Sequence, residues 1–176
     1  KEDGQIIQGT RPINPAAFAI HSSIHKARPD VNSAAHAHSI YGRTFSSLGK
    51  LLDPITQDAA LFFQEQAIYD SYGGVAFDIE EGLAIAEALG EKRTAILQNH
   101  GLLTTGASVD IALWLFIAMD KCCQSQLLAD SAGSPIIISD EIALQAKAQA
   151  GTDMILWASF QPLYDLIYEL EPDFLK

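Results

Sequence analysis

The run from Val109 to about Ala132 restricts the possible folds more than any other stretch. Ile111, Leu113, Trp114, Leu115, Phe116, Ile117 and Met119 would place apolar side chains over much of a helix's circumference. A helix that is hydrophobic on most sides must be packed on most sides, so other elements have to surround it. Gly133-Ser134-Pro135 breaks it. Upstream, Thr94-Ala95-Ile96-Leu97 is a short run with no polar alternation, the pattern of a strand covered on both faces. A central helix beside a doubly covered strand predicts an α/β layered fold. The chain has 176 residues, 48% of them apolar, with no internal repeat or linker; it reads as one domain over residues 1–176.

The remaining elements alternate. Glu2-Asp3-Gly4-Gln5-Ile6-Ile7 has a turn-then-strand pattern, that of an edge strand in a domain expected to begin earlier, its N-terminal segment lacking here. Asn14-Pro15 starts a helix from Ala16 to about Lys26, with Phe18, Ile20 and Ile24 on its apolar side. Arg28-Pro29-Asp30 ends it, because a residue before proline avoids the helical region. A short helix is expected near Tyr41 to Leu48, stopped by Gly49, and another from about Thr56 to Phe63. Strands are expected at Ala67 to Tyr69 and Val75 to Phe77, separated by Tyr72-Gly73-Gly74. Asp78 and Glu81 form a capping-box pattern for a helix that Gly90 closes. Ser139 caps a helix to about Ala150, and Thr152 to Glu171 is helical with a break at Pro162.

Charge and cysteine usage remove several functions. The 22 acidic against 11 basic residues give a net charge of −11, and no Lys/Arg cluster interrupts the surplus. Phosphate backbones need a basic face, so nucleic acid is excluded as a partner. No uncharged apolar run reaches the roughly 18 residues of a membrane span, so no membrane role is expected. Cys122 and Cys123 are adjacent in the helical pattern and cannot build a disulfide framework; they read as core residues in a cytoplasmic, reducing setting.

Chemistry concentrates in the histidines. In Asn32-Ser33-Ala34-Ala35-His36-Ala37-His38-Ser39, an extended backbone turns positions i and i+2 to the same side. His36 and His38 would then offer two imidazoles to one cation, and imidazole suits zinc, iron, copper and nickel. His100 stands where the buried strand ends, beside Gly101, at the kind of position where α/β sheets build sites. His21 and His25, spaced i and i+4, are a rival pair on one helix face. The stretch His21-Ser22-Ser23-Ile24-His25 lacks the glutamate of the His-Glu-x-x-His pattern, so these two read as structural or as hydrogen-bonding supports for the site.

Several stretches together resemble the class II aldolase/adducin family in order and spacing. They are His21 with Ala27-Arg28-Pro29-Asp30, His36-Ala37-His38-Ser39, Glu80-Glu81-Gly82-Leu83-Ala84-Ile85-Ala86, and Asn99-His100-Gly101-Leu102-Leu103-Thr104-Thr105-Gly106. The resemblance implies a three-layer α/β/α fold, like that of fuculose-phosphate aldolase, with a central, mainly antiparallel sheet. It implies that His36, His38 and His100 hold one divalent metal ion: zinc, with iron or manganese as alternatives. His21 would support them from behind. Three ligands leave a coordination position open, as catalytic sites do. The implied assembly is a homotetramer with sites between subunits, within reach of Tyr164 and Tyr168, acting on a small-molecule substrate.

The departures from the family pattern matter as much. Family aldolases take their base from a glutamate four residues before the histidine matching His21, which here is Ala17. The serine pair that binds phosphate is replaced by Pro15 and Ala16, and the aldolase tyrosine by Gln57-Asp58. Asp58 is the candidate acid/base left, although a first-turn helix charge is the simpler explanation for it. The implied activity is an aldolase-type carbon–carbon lyase acting on a small hydroxy-carbonyl compound. The alternatives are a non-heme iron oxygenase using the same histidines, as in the branch from aminocoumarin biosynthesis that the His21 to Asp30 and Thr56 to Phe63 regions resemble, and a non-catalytic adducin-like module.

Overall fold

The computed structural model describes residues 4–74 and 79–175. In chain order its elements are α1 (Pro15–Ala27), β1 (Ser33–Ala37), α2 (Ile40–Ser46), α3 (Gln57–Ala60), β2 (Gln66–Tyr69) and α4 (Ile79–Leu89). Then come β3 (Thr94–Leu97), β4 (Gly101–Gly106), α5 (Val109–Ala132), α6 (Asp140–Ala150), α7 (Asp153–Leu170) and a closing 3₁₀ turn at Pro172–Leu175. Asn14 caps α1 by accepting the Ala16 N–H at 3.0 Å, with Pro15 at a position that needs no donor.

The sheet runs β1-β4-β3-β2. The β1–β4 and β4–β3 pairs are antiparallel and β3–β2 is parallel, so the sheet is mainly antiparallel, as expected. Every residue of β3 and β4 is buried, which forces helices onto both faces. On one face Ala95, Leu97 and Leu103 pack against Ile20 and Ile24 of α1 and Ile85 and Leu89 of α4. On the other, Ile96 and Leu102 pack against Phe45 of α2, Ile111, Leu115 and Met119 of α5, and Leu156 of α7. This is the three-layer α/β/α arrangement. Each such aliphatic side chain, fully buried, stabilises the fold by roughly 1.5–3 kcal/mol. α5 is indeed the helix that others surround, contacting the sheet, α2, α3 and α7. No helix among the described residues is long and apolar enough to cross a membrane.

Several elements differ from expectation. Residues 4–7 form no strand; Gly4 takes a φ of 79°, and both sheet edges, β1 and β2, are elsewhere in the chain. The strand expected at Val75 to Phe77 and the cap at Asp78 lie outside the described residues. β4 was not anticipated: glycines bracket it, and its burial on both faces removes the period-2 alternation that marks a strand. α7 continues through Pro162 rather than breaking there. The carbonyl that loses its partner belongs to Ala158, which is exposed, so water can take the place of the missing N–H. Ser139 precedes α6 without a side-chain cap bond, and α3 is shorter than the stretch from Thr56 to Phe63.

Candidate metal centre

β1 ends at Ala37, so His36 is the last histidine within the strand and His38 lies one residue beyond it. β1 pairs antiparallel with β4, which sets Ala37 opposite Leu102 and His36 opposite Leu103. The turn from β3 into β4 carries His100. Asn99 takes a left-handed φ of 57°, and the His100 N–H donates to the Leu97 carbonyl at 3.0 Å, making the turn tight. The two ligand-bearing segments therefore meet at one end of the sheet. Gly101 permits the approach, since a Cβ there would stand 2.7 Å from the Ala37 carbonyl oxygen.

The three rings converge. Ring centroids lie 5.2 Å apart for His36 and His38, and 4.7 Å apart for each of the pairs that include His100. One ring nitrogen from each lies within 4.8 Å of the others, close enough for a single ion. The Nδ1 of His36 is 2.8 Å from the Leu102 carbonyl. A carbonyl only accepts, so Nδ1 carries the proton and Nε2 keeps its lone pair, the tautomer a metal ligand needs. Burial pushes the His36 imidazole down to about 4, and nearby His100, His38 and His21 add to the shift against the Leu102 bond, so the ring is neutral near pH 7. Burial, followed by the charge of His38, also lowers His100. Three imidazole nitrogen donors suit zinc, iron, copper or nickel, whereas magnesium and calcium call for oxygen. The residues present fit a divalent transition ion.

Elsewhere the sequence candidates separate. His21 is lowered chiefly by burial, then by His25, and its charge is felt at His36. His25 points its Nδ1 at the Val31 carbonyl, 3.0 Å away, and joins the end of α1 to the turn before β1. Asp58 is an exposed first-turn residue of α3, where Thr56 supplies the cap; its charge acts on the Cys122 thiol. Cys122 is pushed up to about 12 by burial and Asp58, and Cys123 is raised by burial and Asp120, so both are buried, protonated thiols. Ala17 and Ala16 are half-buried on α1, with Ala16 packed against the core. Tyr72 opens the Tyr72-Gly73-Gly74 segment. Its ring lies 6.3 Å from that of His100, tilted by 58°, with the side chain 46% exposed. No sequence signal marks it, because its place depends on the loop that carries it back from β2.

The family model of the Class II Aldolase and Adducin N-terminal domain matches residues 1–127. The chain belongs to the class II aldolase and adducin family. It is 41% identical over 172 residues to the decarboxylase NovR of Streptomyces niveus, covering 98% of this chain and 64% of that protein. It is also 41% identical over 169 residues to the 4-hydroxy-3-prenylphenylpyruvate oxygenase/4-hydroxy-3-prenylbenzoate synthase of Streptomyces roseochromogenus subsp. oscitans, covering 96% of this chain and 61% of that one. The chain thus spans under two thirds of the length of these relatives. Among solved structures, an L-fuculose 1-phosphate aldolase from Glaciozyma antarctica PI12 superposes with a TM-score of 0.90 at 39% identity, over 98% of this chain and 67% of that one. The fold is therefore the class II aldolase fold.

Proposed function

We propose that this chain carries the metal centre of an enzyme that breaks a carbon–carbon bond beside a carbonyl group in a small hydroxy- or oxo-carbonyl compound. The convergence of His36, His38 and His100, with Nε2 of His36 left free, is the observation that supports it. A decarboxylase, an aldolase and an enzyme acting on a phenylpyruvate can all make such a cut. A divalent ion bound there supplies Lewis-acid polarisation of the carbonyl, or redox chemistry if it is iron. The Leu102 carbonyl fixes the tautomer and orientation of His36. His38 is exposed, which keeps one side of the cluster open to substrate, and Tyr72 presents an aromatic wall beside His100.

The expected aldolase-type lyase and the oxygen-dependent cleavage share these ligands. The residues of α1 favour the oxygen-dependent form. Moving protons in aldol cleavage needs a positioned base, and the family position for it is Ala17. Pro15 and Ala16 likewise remove the phosphate-binding serines, and both 41% relatives are named as a decarboxylase or an oxygenase. Asp58, exposed in the first turn of α3, takes the role of a first-turn charge. The reading includes a homo-oligomer, a tetramer by family resemblance. Tyr164 and Tyr168 stack at 6.4 Å with Phe174 edge-on to Tyr164, an exposed aromatic face of the kind that suits a subunit interface.

The test is anaerobic reconstitution of the full protein with Fe(II) or with Zn(II), followed by assay on a panel of aryl 2-oxo acids and hydroxy-carbonyl phosphates. The reading expects Fe(II)-dependent O₂ uptake with release of CO₂ from an aryl 2-oxo acid. Cleavage by the Zn(II) form without O₂ would restore the aldolase-type lyase, and no turnover with either ion would favour a non-catalytic, adducin-like role.

A further inference from the structure

The three ligands are joined by a part of the fold that carries none of them. α2 begins at Ile40, two residues after His38, and its far end meets the turn of His100: the Asn99 N–H donates to the Ser46 carbonyl at 3.3 Å. Seven residues of helix span about 10 Å, so α2 lies as a short strut between the segments of His38 and His100. Its middle is seated on Leu102. A Cβ on Gly42 would come within 2.6 Å of the Leu102 Cγ, and the Leu102 carbonyl is the group that orients His36. One helix therefore touches the supports of all three histidines.

The start of that helix is not fastened in the ordinary way. Ser39 occupies the N-cap position but makes no side-chain cap bond, and its hydroxyl is buried with no hydrogen-bond partner among the described residues. The fastening comes from α5. The Asp120 carboxylate accepts the Gly42 N–H at 2.8 Å, taking over a first-turn amide that the N-cap would normally satisfy. One turn further along α5, the Gln124 side-chain amide donates to the Tyr41 hydroxyl at 2.9 Å, so the same face of α5 grips two consecutive residues of α2. A hydrogen bond to an ionised carboxylate is stronger than a neutral one and fixes direction as well as distance.

We infer that Asp120 is a positioning residue for the metal centre, holding the first turn of α2 so that His38 is set against His36 and His100. It touches no ligand and acts through the strut. The inference rests on the three-histidine centre proposed above. Any acceptor of the right length at position 120 serves this role, whereas an apolar side chain there frees the start of α2 and lets His38 move relative to the other two.

The experiment compares wild type, Asp120→Asn and Asp120→Ala for Zn(II) affinity by competition with a chromophoric chelator, and for the visible absorption of the Co(II)-loaded protein. Thermal melting of the metal-free forms monitors folding. Loss of a hydrogen-bonding support typically costs 10–100-fold in metal affinity. The expected result is a loss of roughly that size in Asp120→Ala, with a changed Co(II) spectrum and a folded protein, and restoration to within about threefold in Asp120→Asn. Wild-type affinity and spectrum in Asp120→Ala, or an Asp120→Asn protein as impaired as Asp120→Ala, would overturn the inference. If Asp120→Ala does not fold, Asp120→Ser, whose hydroxyl is too short to reach Gly42, takes its place under the same two outcomes. Absence of Zn(II) or Co(II) binding in wild type itself would instead overturn the three-histidine centre.

Discussion

The two ends of the central sheet are built from the same strands and differ in what their polar groups still have to offer. At the Leu97–Gly101 end, His36 uses one nitrogen on Leu102 and keeps the other, and its ring converges with those of His38 and His100. At the Thr94–Gly106 end, charge is denser but every cation described there is engaged. Arg93 bonds Asp153 at 2.7 Å and the Gly151 carbonyl at 3.3 Å, and Arg28 bonds Asp30 at 2.6 Å. Lys147 reaches Glu65 at 3.1 Å. Cavities of about 230 and 320 Å³ open beside these pairs, not beside the histidines. These two cavities and the paired charges thus gather at the end away from the histidines. A site is marked by rigidly held groups with a free lone pair, and paired charges at the far end serve to join α6, α7 and α1 to the sheet.

The largest effect should come from the ligands. Replacing His36, His38 or His100 singly by alanine should lower divalent-metal affinity by more than the roughly 100-fold that losing a support costs, with melting of the metal-free protein changed little. Isothermal titration beside circular dichroism checks both halves. A ligand variant that keeps wild-type affinity would remove its histidine from the centre.

Glycines at the two ends of β4 give the next contrast. A Cβ at Gly101 would meet the Ala37 carbonyl at 2.7 Å and the His36 Cε1 at 3.6 Å, while one at Gly106 would meet the Ala112 nitrogen and Ile111 Cγ2, each at 2.8 Å. Overpacking of this kind costs about 1–3 kcal/mol, so both Gly101→Ala and Gly106→Ala should melt at lower temperature. Only Gly101→Ala should also weaken metal binding. Equal loss of affinity in the two would mean that the ends are not independent. Smallest of all is Arg93→Ala: its partly exposed pair is worth roughly 0.2–1 kcal/mol, and metal affinity should not change.

Much of this was legible in the sequence. The circumferential hydrophobicity of Val109 to Ala132 gave α5 its central position, because no other packing satisfies such a helix. The i, i+2 spacing of His36 and His38 gave a pair, and family resemblance named His100 as the third. What escaped was everything set by tertiary partners. β4 looked featureless because both its faces are buried, and Pro162 looked like a break because the exposure of Ala158 cannot be read locally. Tyr72 and Asp120 act from a loop and from the middle of a helix, where nothing in the local pattern separates them from ordinary surface residues. Asp58 shows the converse: its character suggests chemistry, while the structure shows it as an exposed acidic residue in the first turn of α3.

The most direct test is X-ray absorption on the protein loaded with one equivalent of Zn(II) or Fe(II). The expected spectrum shows three imidazole nitrogens around the ion, at about 2.0–2.1 Å for zinc, with the remaining ligands light atoms from solvent, and it loses one imidazole in His38→Ala. A shell with sulfur from Cys122 or Cys123, or with fewer than three imidazoles, or one unchanged by His38→Ala, would contradict the three-histidine centre.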